Sequence, residues 1–109
     1  MSNYSRNEVV LIRHPYSDLS GSKVRPAVVV SAPHASVDVF IVPLTSKVTS
    51  LLEGEFILKD WSRAGLNVPS SLKRGIFTVQ ENLIIKRVGK ISATDSKKLN
   101  DSLRQWLGI

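Results

Sequence analysis

The sequence predicts a mainly β domain with a C-terminal helix, in which five or six short strands form a small, strongly curved sheet or open barrel and the helix packs on it. Three observations carry this. Short apolar runs rich in Val and Ile recur between polar connections that contain Pro, Gly or Ser, the spacing expected of strands in a compact β fold. One long stretch with helical periodicity lies at the end of the chain. A length of 109 residues with 42% hydrophobic content suits one core and is too short for two, so residues 1–109 are read as a single domain.

The first strand is expected at Val9–Ile12 and ends where Arg13-His14-Pro15-Tyr16 brings charge and a proline. Ser17–Lys23 holds the residue types that make turns by bonding their own backbone, and is read as an exposed, mobile loop. It leads into Lys23-Val24-Arg25-Pro26-Ala27-Val28-Val29-Val30-Ser31, whose apolar core, Ala27–Val30, suits a strand buried on both faces. Arg25 is expected at the mouth of that strand, and Pro26 biases it toward an extended backbone, so the guanidinium is directed and does not wander with the loop. A third strand, Val37–Val42, ends at Pro43 and follows after about six residues, which makes it the antiparallel neighbour of the second.

Leu44-Thr45-Ser46-Lys47-Val48-Thr49-Ser50 leaves the third strand with hydroxyls and a lysine, forming a second polar mouth. Phe56–Leu58 reads as a short strand, and Trp61–Leu66 as one helical turn or a loop. Ile76–Val79 and Leu83–Ile85 are further strand candidates, the latter equally able to start a helix, because so short an apolar run does not fix its own period. Ser92-Ala93-Thr94-Asp95 starts the terminal helix, with Ser92 as cap and an acid in the first turn. Leu99, Leu103, Trp106 and Leu107 form its apolar stripe, and Gly108 ends it.

Fifteen Lys and Arg against nine Asp and Glu give a net charge of +6, which suits a polyanion such as nucleic acid or an acidic protein. Much of the excess lies between Lys73 and Lys98, where Lys73, Arg74, Lys86, Arg87, Lys90, Lys97 and Lys98 face only Glu81 and Asp95. On one face with the two polar mouths they would form a groove for a phosphate backbone; dispersed, they are the solvated surface of a basic protein. The absence of cysteine excludes disulfides and thiolate metal sites and accords with a reducing cytoplasm, and two histidines make a histidine-rich metal site unlikely as a design. No stretch has the length and apolarity of a signal core or membrane span, so a soluble, cytoplasmic protein is expected, with no membrane partner.

These residues, in this succession, resemble the MazF/PemK toxins of bacterial type II toxin–antitoxin systems over nearly the whole chain. Glu8-Val9-Val10-Leu11 is similar to the family's opening strand, with Asn7 where a glycine is usual. His14–Lys23 resembles its first loop, Arg25-Pro26 its Arg-Pro strand, and Pro43-Leu44-Thr45-Ser46 its Pro-Ile/Leu-Thr-Ser motif. Gly65-Leu66, Pro69-Ser70, Leu83-Ile84 and Arg87-Val88-Gly89-Lys90-Ile91-Ser92 follow in the family's order.

The resemblance implies an SH3-like barrel, acting as a homodimer, that cuts single-stranded RNA without a cofactor and leaves a 2′,3′-cyclic phosphate and a 5′-hydroxyl. It also implies an antitoxin partner, usually acidic and partly disordered. Arg25 and Thr45 match the family's catalytic pair. Arginine stays protonated at physiological pH, so Arg25 suits electrostatic stabilisation of the phosphate and not proton abstraction. Thr45 can donate a second hydrogen bond, and Ser22, Lys23, Ser46, Lys47, Lys73 and Arg74 are candidates for RNA binding.

His14 has the ordinary titration range for proton transfer, but it falls where the family places an aromatic packing residue, and both roles stand open. An Arg-x-Asp found in some relatives reads Lys73-Arg74-Gly75 here and offers no carboxylate. His34 is read as a surface histidine, and Asp18 as a turn residue bonding backbone. The competing reading is a noncatalytic nucleic-acid binder, or a CcdB-like gyrase-binding module, on the same barrel, because one fold serves several functions.

Overall fold

A computed structural model describes residues 3–14 and 23–109, with only the backbone described at His14. The expected Ser17–Lys23 loop, apart from Lys23, and the candidate Ser22 lie outside the described residues. The architecture is mainly antiparallel β with one C-terminal helix: β1 (Glu8–His14), β2 (Lys23–Val29), β3 (Asp38–Thr45), β4 (Ser71–Leu72), β5 (Phe77–Gln80), β6 (Ile84–Lys90) and α1 (Ala93–Leu107). The sheet order is β4-β3-β2-β1-β6, and β5 also pairs with β3. Among the described residues no ladder joins β6 to β4 or β5, so the barrel is open there.

Alternation along the central strands divides the interior into two clusters. Val9, Val28, Val42 and Leu44 pack with Leu58, Leu72, Ile91 and Leu99 of the helical side. Val10, Ile12, Ala27, Val29, Val39 and Ile41 turn the other way, onto Val79 and Ile84. Both faces of β1, β2 and β3 are therefore covered, which is why the second strand shows no polar alternation.

Several boundaries differ from those expected. β2 begins at Lys23, so Arg25 lies inside the strand, opposite Ile12, and not at its mouth. β3 runs through Pro43, because the edge of β3 that meets β5 as far as Ile41 meets β4 only from Leu44, and the absent N–H falls in that gap. The Pro43 carbonyl on this edge still accepts from Lys73 N–H at 2.9 Å.

Phe56–Leu58 is no strand of its own but a single bridge, Ile57 to Ser71, with one hydrogen bond on each side. Trp61–Leu66 is a set of overlapping turns. The strand reading of Leu83–Ile85 holds from Ile84, where β6 begins, and no helix starts there: the short 3-10 turn Glu81–Leu83 ends at Leu83.

The helix starts as its cap dictates. Ser92 Oγ accepts from Asp95 N–H at 3.2 Å, and Gly108 closes the other end in the left-handed region. Leu99, Leu103 and Trp106 pack on the core, whereas Leu107 is 56% exposed and falls off the stripe. Asn7 takes φ +76°, a left-handed backbone that accounts for the glycine usual at this position. Asn tolerates it, and its side-chain carbonyl accepts from Ser96 Oγ at 3.1 Å, tying the start of β1 to the helix.

Candidate RNA-cleavage site

The β2–β3 ladder is the frame of the site. Ala27 lies opposite Pro43, Val28 opposite Val42 and Val29 opposite Ile41. Continuing that register toward the start of β2 sets Leu44 opposite Pro26 and Thr45 opposite Arg25. Partners across a ladder share a face, and so do residues two apart along a strand, so Arg25 and Thr45 share the face of Ala27 and Pro43. Two motifs twenty residues apart in sequence thus meet just beyond the end of one ladder and line one groove.

Where β2 begins and β3 ends, Arg25, Thr45 and Ser46 line a groove of about 430 Å³ together with the 65–70 segment and Lys86 of β6. Arg25 and Thr45 are half-buried, while Ser46 and Lys86 are exposed. Thr45 Oγ1 accepts the Lys47 N–H at 3.1 Å, the turn bond common for threonine. Because that bond uses an acceptor site, the hydroxyl proton remains available to a ligand, and the hydroxyl is oriented by the backbone beforehand. Ser71, fully buried, donates to the Lys47 carbonyl at 2.8 Å and fixes the end of this turn on β4.

The opposite wall is held by close backbone approach. A Cβ on Gly89 would lie 2.2 Å from the Ala64 carbonyl, and one on Gly65, at φ +92°, 2.2 Å from the Val88 carbonyl. The turn preceding the 65–70 segment therefore lies flat on β6. Asp95 anchors its beginning: its buried carboxylate accepts the Lys59 and Asp60 amides at 2.9 and 3.0 Å. The acid expected to serve the helix dipole thus also caps a turn 35 residues away.

Thr45 borders a second groove, of about 250 Å³, lined also by Lys47, Glu55 and Lys73. Burial tends to raise the Glu55 pKa, but hydrogen bonds from the Arg74 and Leu52 amides, with the nearby Lys73 and Arg74 charges, outweigh it and hold the carboxyl below its ordinary 4.5. Those amides lie 2.7 Å from its two oxygens. Arg74 itself lines a separate groove with Glu53, Gln105 and Trp106, although its charge, like that of Lys73, acts on Glu55.

The basic run disperses further. Arg87 pairs with Glu8 at 2.6 Å and lies over Tyr4, Lys98 lies over Phe56, and Lys90 and Lys97 line a groove beside the helix. Of that run, Lys73 and Lys86 line grooves that Thr45 also lines. Lys23 is exposed at the start of β2, opposite His14, whose side chain lies outside the described residues. His34 is exposed and accepts the Ser36 amide, as a surface histidine would.

Lys86 was not among the residues that the motifs single out. Its only sequence signal was membership of the basic run, because its place depends on a β1–β6 ladder broken by two register shifts. Among the described residues no three His, Asp or Glu side chains gather as a metal-ligand group, and no helix is long and apolar enough to cross a membrane.

A model of the PemK-like, MazF-like toxins of type II toxin–antitoxin systems matches residues 5–107. No curated protein sequence matches the chain. Among solved structures, an endoribonuclease in complex with its cognate antitoxin from a mycobacterial species superposes with a TM-score of 0.78 at 17% identity, covering 97% of this chain and 96% of that one. A second mycobacterial endoribonuclease gives 0.75 at 19% identity, covering 100% and 95%. The Mycobacterium tuberculosis toxin MazF-mt6 also gives 0.75 at 19%, covering 94% and 97%. At these identities the structural likeness establishes the shared fold.

Proposed function

We propose, from the premise that this chain belongs to the PemK-like, MazF-like toxins of type II toxin–antitoxin systems, that it is a metal-independent endoribonuclease cutting single-stranded RNA. The observation that carries the reading is that Arg25 and Thr45 line one groove where β2 begins and β3 ends, with the Thr45 hydroxyl oriented by Lys47 N–H. In the reaction the ribose 2′-oxygen attacks phosphorus as the bond to the 5′-oxygen breaks. One proton leaves the 2′-hydroxyl and one reaches the departing 5′-oxygen, giving a 2′,3′-cyclic phosphate and a 5′-hydroxyl.

Charge accumulates on the nonbridging oxygens as the phosphorus becomes five-coordinate. The Arg25 guanidinium supplies donors to these oxygens, and the Thr45 hydroxyl, already oriented by the Lys47 amide, supplies another as the charge develops. Ser46 and Lys47 continue this lining along the strand end, and Lys23 and Lys73 add sequence-independent attraction for the backbone. The structural neighbours, endoribonucleases of which one is in complex with its cognate antitoxin, support both the activity and an antitoxin partner for this chain. We read it as a homodimer acting in the cytoplasm, where its RNA substrate is found.

The test is incubation of purified protein with mixed single-stranded RNA in chelator, with Arg25→Ala and Thr45→Ala in parallel. Wild type should yield fragments ending in cyclic phosphate, and each variant should be slower by about 10²-fold, the effect of removing one preorganised donor. Cutting by Arg25→Ala at the wild-type rate would sink the assignment of the pair. RNA binding without any cutting would favour the noncatalytic module.

A further inference from the structure

The groove at Arg25 and Thr45 differs in charge from the other grooves formed by the described residues. None of its lining residues is Asp or Glu, while two are cations, Arg25 and Lys86. The groove on the other side of Thr45 contains Glu55, and the one beside the helix contains Asp101, which pairs with Arg104 at 3.5 Å. Among the grooves formed by the described residues, the Arg25 groove offers cations whose field no lining carboxylate offsets.

Lys86 reaches this groove through a straight row across the sheet. It lies opposite Leu11 on β1, and Leu11 lies opposite Pro26 on β2. The continued β2–β3 register adds Leu44, and all four residues line the groove. Adjacent strands are about 4.8 Å apart, so the Lys86 backbone stands about 10 Å from that of Pro26, the neighbour of Arg25. By alternation this row faces away from Arg25 and Thr45, which line the same groove where β2 begins and β3 ends; Leu11 and Pro26, bordered by Val88, form the apolar strip between Lys86 and that rim. Two like charges bordering one apolar strip suit successive anionic groups of an extended strand.

We infer that Lys86 is a phosphate-positioning residue of this groove, holding a backbone phosphate next to the one at Arg25 and Thr45. The inference rests on the reading of the groove as an RNA site. Lysine suits the role as a compact point charge without the planar fork that in-place stabilisation of a reacting phosphate favours. It contacts a non-reacting group, so its contribution is present equally in the bound substrate and the transition state and appears in KM, not in kcat.

The experiment compares wild type, Lys86→Met, Lys86→Arg and, as a control in the groove beside the helix, Lys97→Met. Binding is measured over a series of salt concentrations on a fully 2′-O-methylated RNA, which lacks the nucleophile, and cleavage is measured on the unmodified strand. Lys86→Met should weaken binding and raise KM about tenfold, as expected for loss of one charge-assisted hydrogen bond, with kcat within twofold of wild type. Its salt slope should fall by about 0.7, the contribution of one phosphate on a single strand. Lys86→Arg should restore most of both, and Lys97→Met should match wild type.

An unchanged salt slope in Lys86→Met, a loss confined to kcat, or an equal loss in Lys97→Met would overturn the assignment. Failure of the proposed activity reads differently. A wild type that binds but never cuts removes the endoribonuclease, while the salt slopes still decide Lys86. A wild type that does not bind the methylated strand overturns the Lys86 inference as well.

Discussion

At Thr45 a single hydroxyl serves two ends, because its oxygen is taken by the Lys47 amide while its proton is not. That separation predicts a difference between two conservative changes. Thr45→Ser keeps the hydroxyl and should retain activity within about tenfold, while Thr45→Val keeps the shape, loses the donor and should fall by about 10²-fold in cleavage rate with little change in RNA affinity. Asn7 makes a second residue-level case. Its left-handed backbone suits Asn or Gly, so Asn7→Gly should change stability by no more than about 1 kcal/mol. Asn7→Val, a β-branched residue at the same φ, should cost about 2 kcal/mol or more on chemical denaturation, and equal midpoints for the two variants would contradict this account.

Among the elements, the 58–70 segment is positioned by groups outside itself. Removing the carboxylate in Asp95→Ala leaves the Lys59 and Asp60 amides without their acceptor and should cost about 1.5–3 kcal/mol in equilibrium unfolding. Asp95→Asn keeps one carbonyl acceptor and should recover part of the loss. Gly89→Ala has a different signature. Its Cβ collides with the Ala64 carbonyl, a backbone atom that cannot swing aside, so the turn on β6 must lift. Because that turn leads into one wall of the Arg25 groove, RNA binding should weaken along with stability, whereas Ala at Gly108, which meets nothing within 4 Å, should leave binding unchanged.

For the whole molecule, pH acts through the staple that Glu55 forms between the 52–55 turn and Arg74. Its carboxyl titrates below 4.5 in the folded chain, so the folded state binds the proton less readily than the unfolded one. The stabilisation is therefore fully present above about pH 4.5 and is lost as pH falls through the lower folded value. The stability gap between wild type and Glu55→Gln should be constant from pH 7 to 5 and shrink in more acid solution. A gap that widens on acidification would reverse the sign of this linkage.

The net charge of +6 acts at the same scale but is spread over several grooves and ring contacts. Most single lysine changes away from the Arg25 groove should accordingly alter RNA association little, as measured by salt-dependent binding.

The sequence by itself determined the local decisions. Valine-rich runs made strands, Ser92 and Gly108 set the ends of the helix, and the Arg-Pro and Pro-Leu-Thr-Ser motifs pointed to Arg25 and Thr45, because propensity, capping and motif chemistry act over a few residues. Tertiary structure alone decided what those residues meet. The passage of β3 through Pro43 depended on which neighbour ended where, and the grooves that Lys73 and Arg74 line on the chain packed around them. Lys86 entered the groove through a ladder with two register shifts, which no period along the chain announces. Register is a relation between strands, fixed by the packing of both faces at once, and the chemistry of this groove is a property of that register.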